Sequence, residues 1–430
     1  MPDLTTGKIA EVMFSKALET FEDQDMFLPL VEFEEPSAET MQNTSNVIWY
    51  PVEQHAPVIE GWDLTGQEQG IIEETYPAVL GIPKNDFVQQ RADDMRTLRF
   101  WERRGQQSGR QQSTELNRLI AQSIEQQGSL YYKSAVTSGF DFIAEAQALM
   151  NERQLYKSQR YFCLNDRDNL KFAKDLASRE TIKGRPADTW KSGQIGSNVA
   201  EFDIFVSSNL GAVTYKDELG LLVSGDQSFK PEAGSVDSVT KVVTNIDYRE
   251  ALIPLTTAES NLFNIGDKVR LYEPGVYVVR AISLADKLDT GQQMTFTIVG
   301  LPDASTVKIY PKPIALDDVL LSDTEKAYAN VNTTILDGAT IQRLDTELSL
   351  NKYNIFWDKS AVKVIGGSIP ASQFSDFAGK KVISDTMSNG LKMYMVYDGK
   401  IDDMTFRYRL FTWYGITVCN PSNCGVAISA

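Results

Sequence analysis

Residues 45–94 read SNVIWYPVEQHAPVIEGWDLTGQEQGIIEETYPAVLGIPKNDFVQQRADD, and the fold turns on how this stretch is divided. Val47, Ile48, Trp49 and Tyr50 precede Pro51, which predicts a strand over 46–52 ending near that proline. From Glu53 to Glu74 the chain turns polar, with Pro57, Gly61, Gly66 and Gly70 spread through it and Trp62 near its middle. A connection of this length inside a folded domain is usually functional or mobile. One reading is an extended hairpin that reaches another subunit with Trp62 as its anchor. The plain alternative is a Trp folded back on its own core.

Beyond the loop, residues 84–127 read as one long helix or two collinear ones, with Pro83 before it and Asn85 or Asp86 as the cap. Gly105 and Gly109 weaken its middle, which predicts a bend or break there. Between 91 and 118 stand Arg91, Arg96, Arg99, Arg103, Arg104, Arg110 and Arg118 with no lysine, interleaved with Asp93, Asp94, Glu102 and Glu115. Arg96, Arg99 and Arg103 share a helical face. Arginine without lysine points to planar pairing with carboxylates, and this face is a candidate inter-subunit contact. A nucleic-acid groove would carry lysines and repeated aromatics as well, and a solvated face would add little stability.

The first residues predict an amphipathic helix whose packing face is Ile9, Val12, Met13, Ala17 and Phe21. It either packs on its own domain or docks as an arm on a neighbour. From 138 to 220 the texture is α/β, with helices at 140–152 and 166–178, an apolar run at 161–164 and a strand at 202–206. Between 221 and 320 short strands are expected at 239–244, 268–272, 276–282, 294–299 and 306–310, separated by Gly266-Asp267, Pro274-Gly275, Thr290-Gly291 and Pro302-Asp303. That spacing predicts a small β-barrel or sandwich inserted into a mixed domain. A short helix begins near Ser322, with Glu325 as its capping partner. Strands follow at 353–357, 361–365, 391–397 and 404–418, the last holding Trp413 and Tyr414 for the core.

Composition narrows the function classes. Hydrophobic residues at 42% and charged residues at 23% are ordinary for a folded protein. Lys plus Arg total 42 against 58 Asp plus Glu, a net charge of −16 that repels phosphates and disfavours DNA binding as the main activity. Cys163, Cys419 and Cys424 make no disulfide framework, and with His55 the only histidine a zinc site lacks ligands, so no metal and no cofactor are expected. No apolar run is long enough to span a membrane, and the first residues lack a signal peptide's basic start and apolar stretch. The phosphate-binding, dinucleotide-binding, nucleophile-elbow and metalloprotease motifs are all missing. The residual enzymatic reading is a carbohydrate-active enzyme using Asp93-Asp94, Asp317-Asp318 or Asp402-Asp403; a β-barrel binding or adhesion module is the other alternative.

Six segments in one order carry a resemblance: SNVIWYPVEQHAPVIEGWDLT (45–65), NDFVQQRADD (85–94), SGDQSFKP (224–231), PKPIALDDVLLS (311–322), AYANVNT (327–333) and TWYG (412–415). Together they resemble the coat protein of the P-twenty-two group of short-tailed phages. The resemblance implies an α+β, Hong-Kong-97-type capsid fold with an inserted small β-barrel domain, and a major capsid protein with no catalytic residues. Its parts would be an N-terminal arm (1–32), a peripheral domain (33–129) with extended loop 53–74 and spine helix 84–127, an axial domain (130–222 and 339–390), the insertion (223–338), and returning peripheral strands (391–430). The implied partners are further copies of the chain as hexamers and pentamers of an icosahedral shell, a scaffolding protein and a portal ring. The shell would be assembled in the host bacterial cytoplasm, expand as double-stranded DNA is packaged, and make the chain a virion component. A loop of the insertion, Val236–Arg249, would reach the next capsomer through Asp237, Lys241, Asp247 and Arg249. No covalent cross-link and no membrane contact are implied.

Overall fold

The computed structural model describes residues 6–52, 60–63, 65, 70, 72–91, 98–134, 139–155, 157–178, 196–211, 216–232, 247–346, 352–369, 381–400 and 404–429. Six described helices, α1 (Thr6–Gln24), α2 (Ala38–Asn43), α3 (Leu98–Gln127), α4 (Gly139–Glu152), α5 (Asp166–Ser178) and α6 (Asp323–Lys326), accompany a strand-rich remainder, an α+β fold. None of the described helices is long and apolar enough to cross a membrane. The chain divides into two compact units, one from 1–48, 78–120 and 363–417, the other from 49–77, 121–362 and 418–430.

In the first unit a four-stranded antiparallel sheet runs in the order Lys381–Thr386, Lys392–Lys400, Thr405–Thr412, Lys84–Arg91. Residues 84–91, expected at the start of the long helix, are therefore a strand, and the helix begins at Leu98. The expected caps serve as strand side chains: Asn85 accepts from Arg409 Nε (2.6 Å) and Asp86 is taken up by Arg104. Phe87 is exposed while Asp86 and Val88 are half-buried, so the aromatic faces out and the carboxylate in, against simple apolar patterning. Trp101 of α3 is buried edge-on to Phe406 and Tyr408, with ring centroids 5.8 and 6.0 Å apart.

The helix α3 runs through Gly105 and Gly109 without the expected break. Both glycines instead mark where the backbone of α1 comes close. A Cβ on Gly105 would run into the Met13 carbonyl oxygen, and one on Gly109 into that of Ala17. Ile9, Met13, Ala17 and Phe21 are buried and Val12 is half-buried, so the packing face of α1 is used within its own unit. Asn117 closes the end of α1, accepting from Phe27 N–H (3.1 Å) and donating to the Gln24 carbonyl (3.1 Å).

The expected 404–418 strand is two, Thr405–Thr412 and Tyr414–Val418, parted by Trp413, whose indole N–H donates to the Gly81 carbonyl (2.6 Å). Tyr414 is buried as expected. A parallel pair, Glu32–Glu34 on Val362–Gly366, gives a small second sheet that Tyr414–Val418 completes.

The second unit has two larger sheets. A six-stranded mixed sheet runs Leu130–Lys133, Cys424–Ile428, Asn354–Asp358, Arg160–Leu164, Phe202–Val206, Gly196–Val199. Phe142, Ile143 and Met150 from α4 and Phe172 from α5 join Phe162, Phe202 and Phe356 in its core. The helices and strands expected between 140 and 206 lie within a residue or two of prediction. The last strand, Cys424–Ile428, lies in this sheet, and residues 418–430 cluster with this unit.

The other sheet runs Ala251–Pro254, Thr306–Tyr310, Phe296–Asp303, Lys268–Glu273, Thr340–Arg343, Gly220–Leu222, around Val269, Leu271, Phe296, Ile298 and Ile341. Its outer strands are themselves bonded, through Ser224 N–H to Pro254 C=O and Thr256 N–H to Leu222 C=O, both 2.9 Å. Strands 220–222 and 340–343 extend this sheet slightly beyond 223–338 at both ends. The 239–244 strand falls outside the described residues, and 276–282 holds two short strands. Before α6 the capping box forms as expected, Ser322 Oγ accepting from Glu325 N–H while the Glu325 carboxylate accepts from Ser322 N–H. Lys268 Nζ joins this sheet to the end of α3, donating to the carbonyls of Glu125 (2.8 Å) and Gly128 (2.6 Å) and to Thr297 Oγ1 (2.8 Å). Burial with neutral acceptors pulls its pKa down to about 8.

Candidate assembly surfaces

Trp62 is wholly exposed, at 108% of its reference area. A local turn presents it: Asp63 Oδ1 accepts from Thr65 N–H (3.0 Å) and Thr65 Oγ1 (2.6 Å), which also lowers the Asp63 pKa. An indole left in water on a self-held turn is a poor investment for the subunit alone, since an aromatic of this size gains most from burial.

In the first unit, Ala38, Met41, Leu80 and Trp413 line a mainly apolar cleft of about 280 Å³, with Ser45, Asn46 and Ser368 at its edge. Ser45 and Asn46 hold left-handed backbone, at φ 56° and 65°, which turns the chain from α2 into strand Val47–Pro51.

The arginine-rich helix divides its side chains by direction. Arg104, which the sequence did not single out, turns inward: its Nη2 spans both Asp86 oxygens (2.8 and 2.9 Å) and its Nε donates to Tyr408 Oη (2.8 Å). Ser108 Oγ also donates to Asp86. Arg118 pairs with Glu115 along the helix, at 2.8 Å. Arg99 and Arg103 are exposed, and no carboxylate among the described residues pairs with either. Arg96 lies outside the described residues.

The expected inter-capsomer group is only partly placed. Asp237 and Lys241 lie outside the described residues. Arg249 is 5% exposed and bonded within its own chain: Nε and Nη2 donate to Asp247 (3.0 and 2.7 Å), and Nη1 donates to the carbonyls of Val418 (2.9 Å) and Cys419 (2.6 Å). Its guanidinium also lies 3.9 Å from the Tyr76 ring centroid.

Of the three adjacent carboxylate pairs, only Asp317-Asp318 lies among the described residues, and its oxygens accept turn hydrogen bonds. Asp317 Oδ1 accepts from Thr334 N–H (2.9 Å), and Asp318 accepts from Leu320 N–H (2.8 Å) and Ser228 Oγ (2.5 Å). The pair builds a turn that displays Val319 and Leu320, 90% and 77% exposed. His55, Asp93, Asp94, Asp402 and Asp403 lie outside the described residues. Cys163 and Cys424 are buried thiols; burial pushes Cys163 up strongly and Cys424 to about 12, so neither offers a ready thiolate.

Residues 3–429 match the family described as P22 coat protein, gene protein 5. Among solved structures, one titled Mycobacterium phage Che8 aligns at 13% identity and TM-score 0.42, covering 94% of this chain and 90% of that one. The capsid structure of cyanophage P-SCSP1u aligns at 10% identity and TM-score 0.44, covering 94% and 88%. The CUS-3 coat protein I-domain aligns at 20% identity and TM-score 0.21, covering 31% of this chain and 98% of that one.

Proposed function

The chain belongs to the P22 coat protein family and forms phage capsid, and from that premise we propose that Trp62 of one subunit seats in the cleft of Met41, Leu80 and Trp413 on the next. The observation that carries this is a fully exposed indole on a self-held turn in a chain that also presents an apolar cleft. Burying an aromatic side chain removes about 150–250 Å² from water. At ~25 cal/mol per Å² that is roughly 4–6 kcal/mol gross per contact before ordering costs. Repetition over a closed shell multiplies modest contacts into a stable container.

Charge supports the same pairing. Residues 53–74 hold Glu53, Glu60, Asp63, Glu68, Glu73 and Glu74 and no Lys or Arg, while Arg99 and Arg103 stand exposed on α3. Acids of the loop and these arginines are the natural electrostatic match between copies. The wider assignment is an HK97-type shell of hexamers and pentamers, built with a scaffolding protein and a portal in the host cytoplasm and expanding around double-stranded DNA. A net charge of −16 suits a wall that must not adhere to packaged DNA. The catalytic and adhesion readings lose ground, because Asp317 and Asp318 are occupied as turn builders and the family is a structural one.

Co-expression with the neighbouring phage genes and negative-stain microscopy tests this reading. Wild type should give uniform closed shells, and Trp62→Ala should give few shells or fragile ones while the free subunit unfolds within about 0.5 kcal/mol of wild type. Equal loss of subunit stability would return Trp62 to its own core and remove the proposed contact.

A further inference from the structure

Ile72–Tyr76, the limb by which the polar loop returns, is fastened to the β-rich sheet's connections at several points. The Tyr328 hydroxyl donates to the Ile72 carbonyl (2.5 Å) and accepts from Glu74 N–H (3.2 Å). Tyr76 lies under the Arg249 guanidinium, itself fixed by Asp247 and two carbonyls. Between these points the Glu74 side chain is buried, and its Oε1 has no hydrogen-bond partner among the described residues. The nearest cation, Lys312 Nζ, stands 3.7 Å away, outside hydrogen-bond reach, and donates instead to the Lys230 carbonyl (3.1 Å).

The charged and titratable groups facing Glu74 are Lys312, Arg249, Asp247 and the Tyr328 phenol, with Glu73 beside it in sequence. Arg249 pairs with Asp247 at 2.7 Å, and Lys312 is shared, lying 3.7 Å from both Glu74 and the half-exposed Glu232. Glu74 is thus a buried acid whose Oε1 receives no hydrogen bond and whose one long ion pair is shared with Glu232, so desolvation outweighs the cations and favours the neutral carboxyl.

We propose that Ile72–Tyr76 is a proton-controlled latch, docked on Tyr328 while Glu74 carries its proton and released when Glu74 ionises. The latch belongs to the subunit itself and operates whether or not Trp62 seats in a neighbour. Burial holds the docked carboxyl at about 7, against 4.5 in water. A raised carboxyl pKa makes docking most favourable below 4.5 and weakens it as pH rises through 7, so the latch loosens toward alkaline pH.

Hydrogen exchange of the 72–77 peptide in the full-length free subunit tests this, with wild type and Glu74→Gln compared at the same pH so that intrinsic exchange cancels. The amide cannot ionise and stays docked. Its protection should exceed wild type by about tenfold at pH 5.5, widening to a few hundredfold at pH 8. A gap of the same size at both pH values would overturn proton control. Tyr328→Phe should lose protection of this peptide at both pH values, and unchanged protection would show that the phenol does not hold the limb. Should Tyr328→Phe fail to fold, the Glu74→Gln comparison still decides the matter.

Discussion

Replacing Gly109 by Ala separates two accounts of the long helix by the sign of the effect. If the glycine only weakens α3, Ala restores helix propensity and stabilises the subunit by about 1 kcal/mol. The packing of α1 predicts the opposite. An added Cβ would meet the Ala17 carbonyl oxygen, with the Ala17 carbonyl carbon and Cα at 3.1 and 3.2 Å. That obstacle is backbone, which has no rotamer to escape into, so α1 must retreat by roughly 1 Å. A gap of that size forfeits about a quarter to a half of each dispersion contact. With on the order of 40 contacts at ~0.15 kcal/mol along the seam of Met13, Ala17 and Phe21, the loss is about 1.5–3 kcal/mol. Subtracting the helix gain leaves Gly109→Ala destabilised by about 0.5–2 kcal/mol. Gly105→Ala faces Met13 in the same way one turn earlier and should behave alike. Urea unfolding of the free subunit, followed by far-ultraviolet circular dichroism, measures both. A rise in midpoint worth about 1 kcal/mol for either variant would refute the close helix–helix approach.

Arg104→Lys keeps the charge but cannot reach Asp86 and Tyr408 together, so it should cost about 1–3 kcal/mol in subunit unfolding; wild-type stability would show that the guanidinium's shape is irrelevant there. Asp25, which accepts from Asn389 Nδ2 (2.7 Å) and Leu28 N–H (3.4 Å), is raised by burial to about 6. Its favourable contribution is complete below 3.8 and is lost as pH rises through 6, so Asp25→Asn should be the more stable protein at pH 8, by about 1–3 kcal/mol. That advantage should shrink as pH falls toward 4, and a pH-independent difference in urea midpoint would contradict the buried-carboxyl account.

What was legible follows from which residues do the packing. In the second unit, α4, α5 and the strands around Phe162 and Phe202 bury aromatic and aliphatic side chains, so hydrophobic period located them closely. Between Trp101 and Leu116 the face that α3 buries is built from Gly105, Ser108, Gly109, Gln112 and Ser113. A hydrophobicity pattern is silent on such a face, because its work is close approach and hydrogen bonding. Gln112 donates to the Lys84 carbonyl (3.2 Å) and accepts from Thr412 Oγ1 (3.0 Å), fixing both strands to the helix. The misreading of 84–91 has the same root. Asn85 and Asp86 after Pro83 look like a helix start, yet the carboxylate is needed as the partner of an arginine some eighteen positions on, a long-range fact no local signal carries. The spacing of Gly105 and Gly109, one helical turn apart with Ser108 between, was the available clue to a close helix neighbour.

The arginines show how far composition alone reaches toward the assembly surface. Seven arginines without a lysine raise the expectation of carboxylate pairing, and within the subunit it is Arg104 and Arg118 that pair with carboxylates. Arg104 is consumed by Asp86, so charge reversal there would first unfold the sheet from its helix. Arg99 and Arg103, on another side of the same helix, are exposed and make no such pair among the described residues. Arg249 makes the converse case: named for an outside contact, it is spent on Asp247, Tyr76 and two carbonyls of its own chain. A residue's availability to a partner is therefore set by what its own fold has already taken: Arg104 and Arg249 are spent within the chain, whereas Trp62, Arg99 and Arg103 are among its exposed residues.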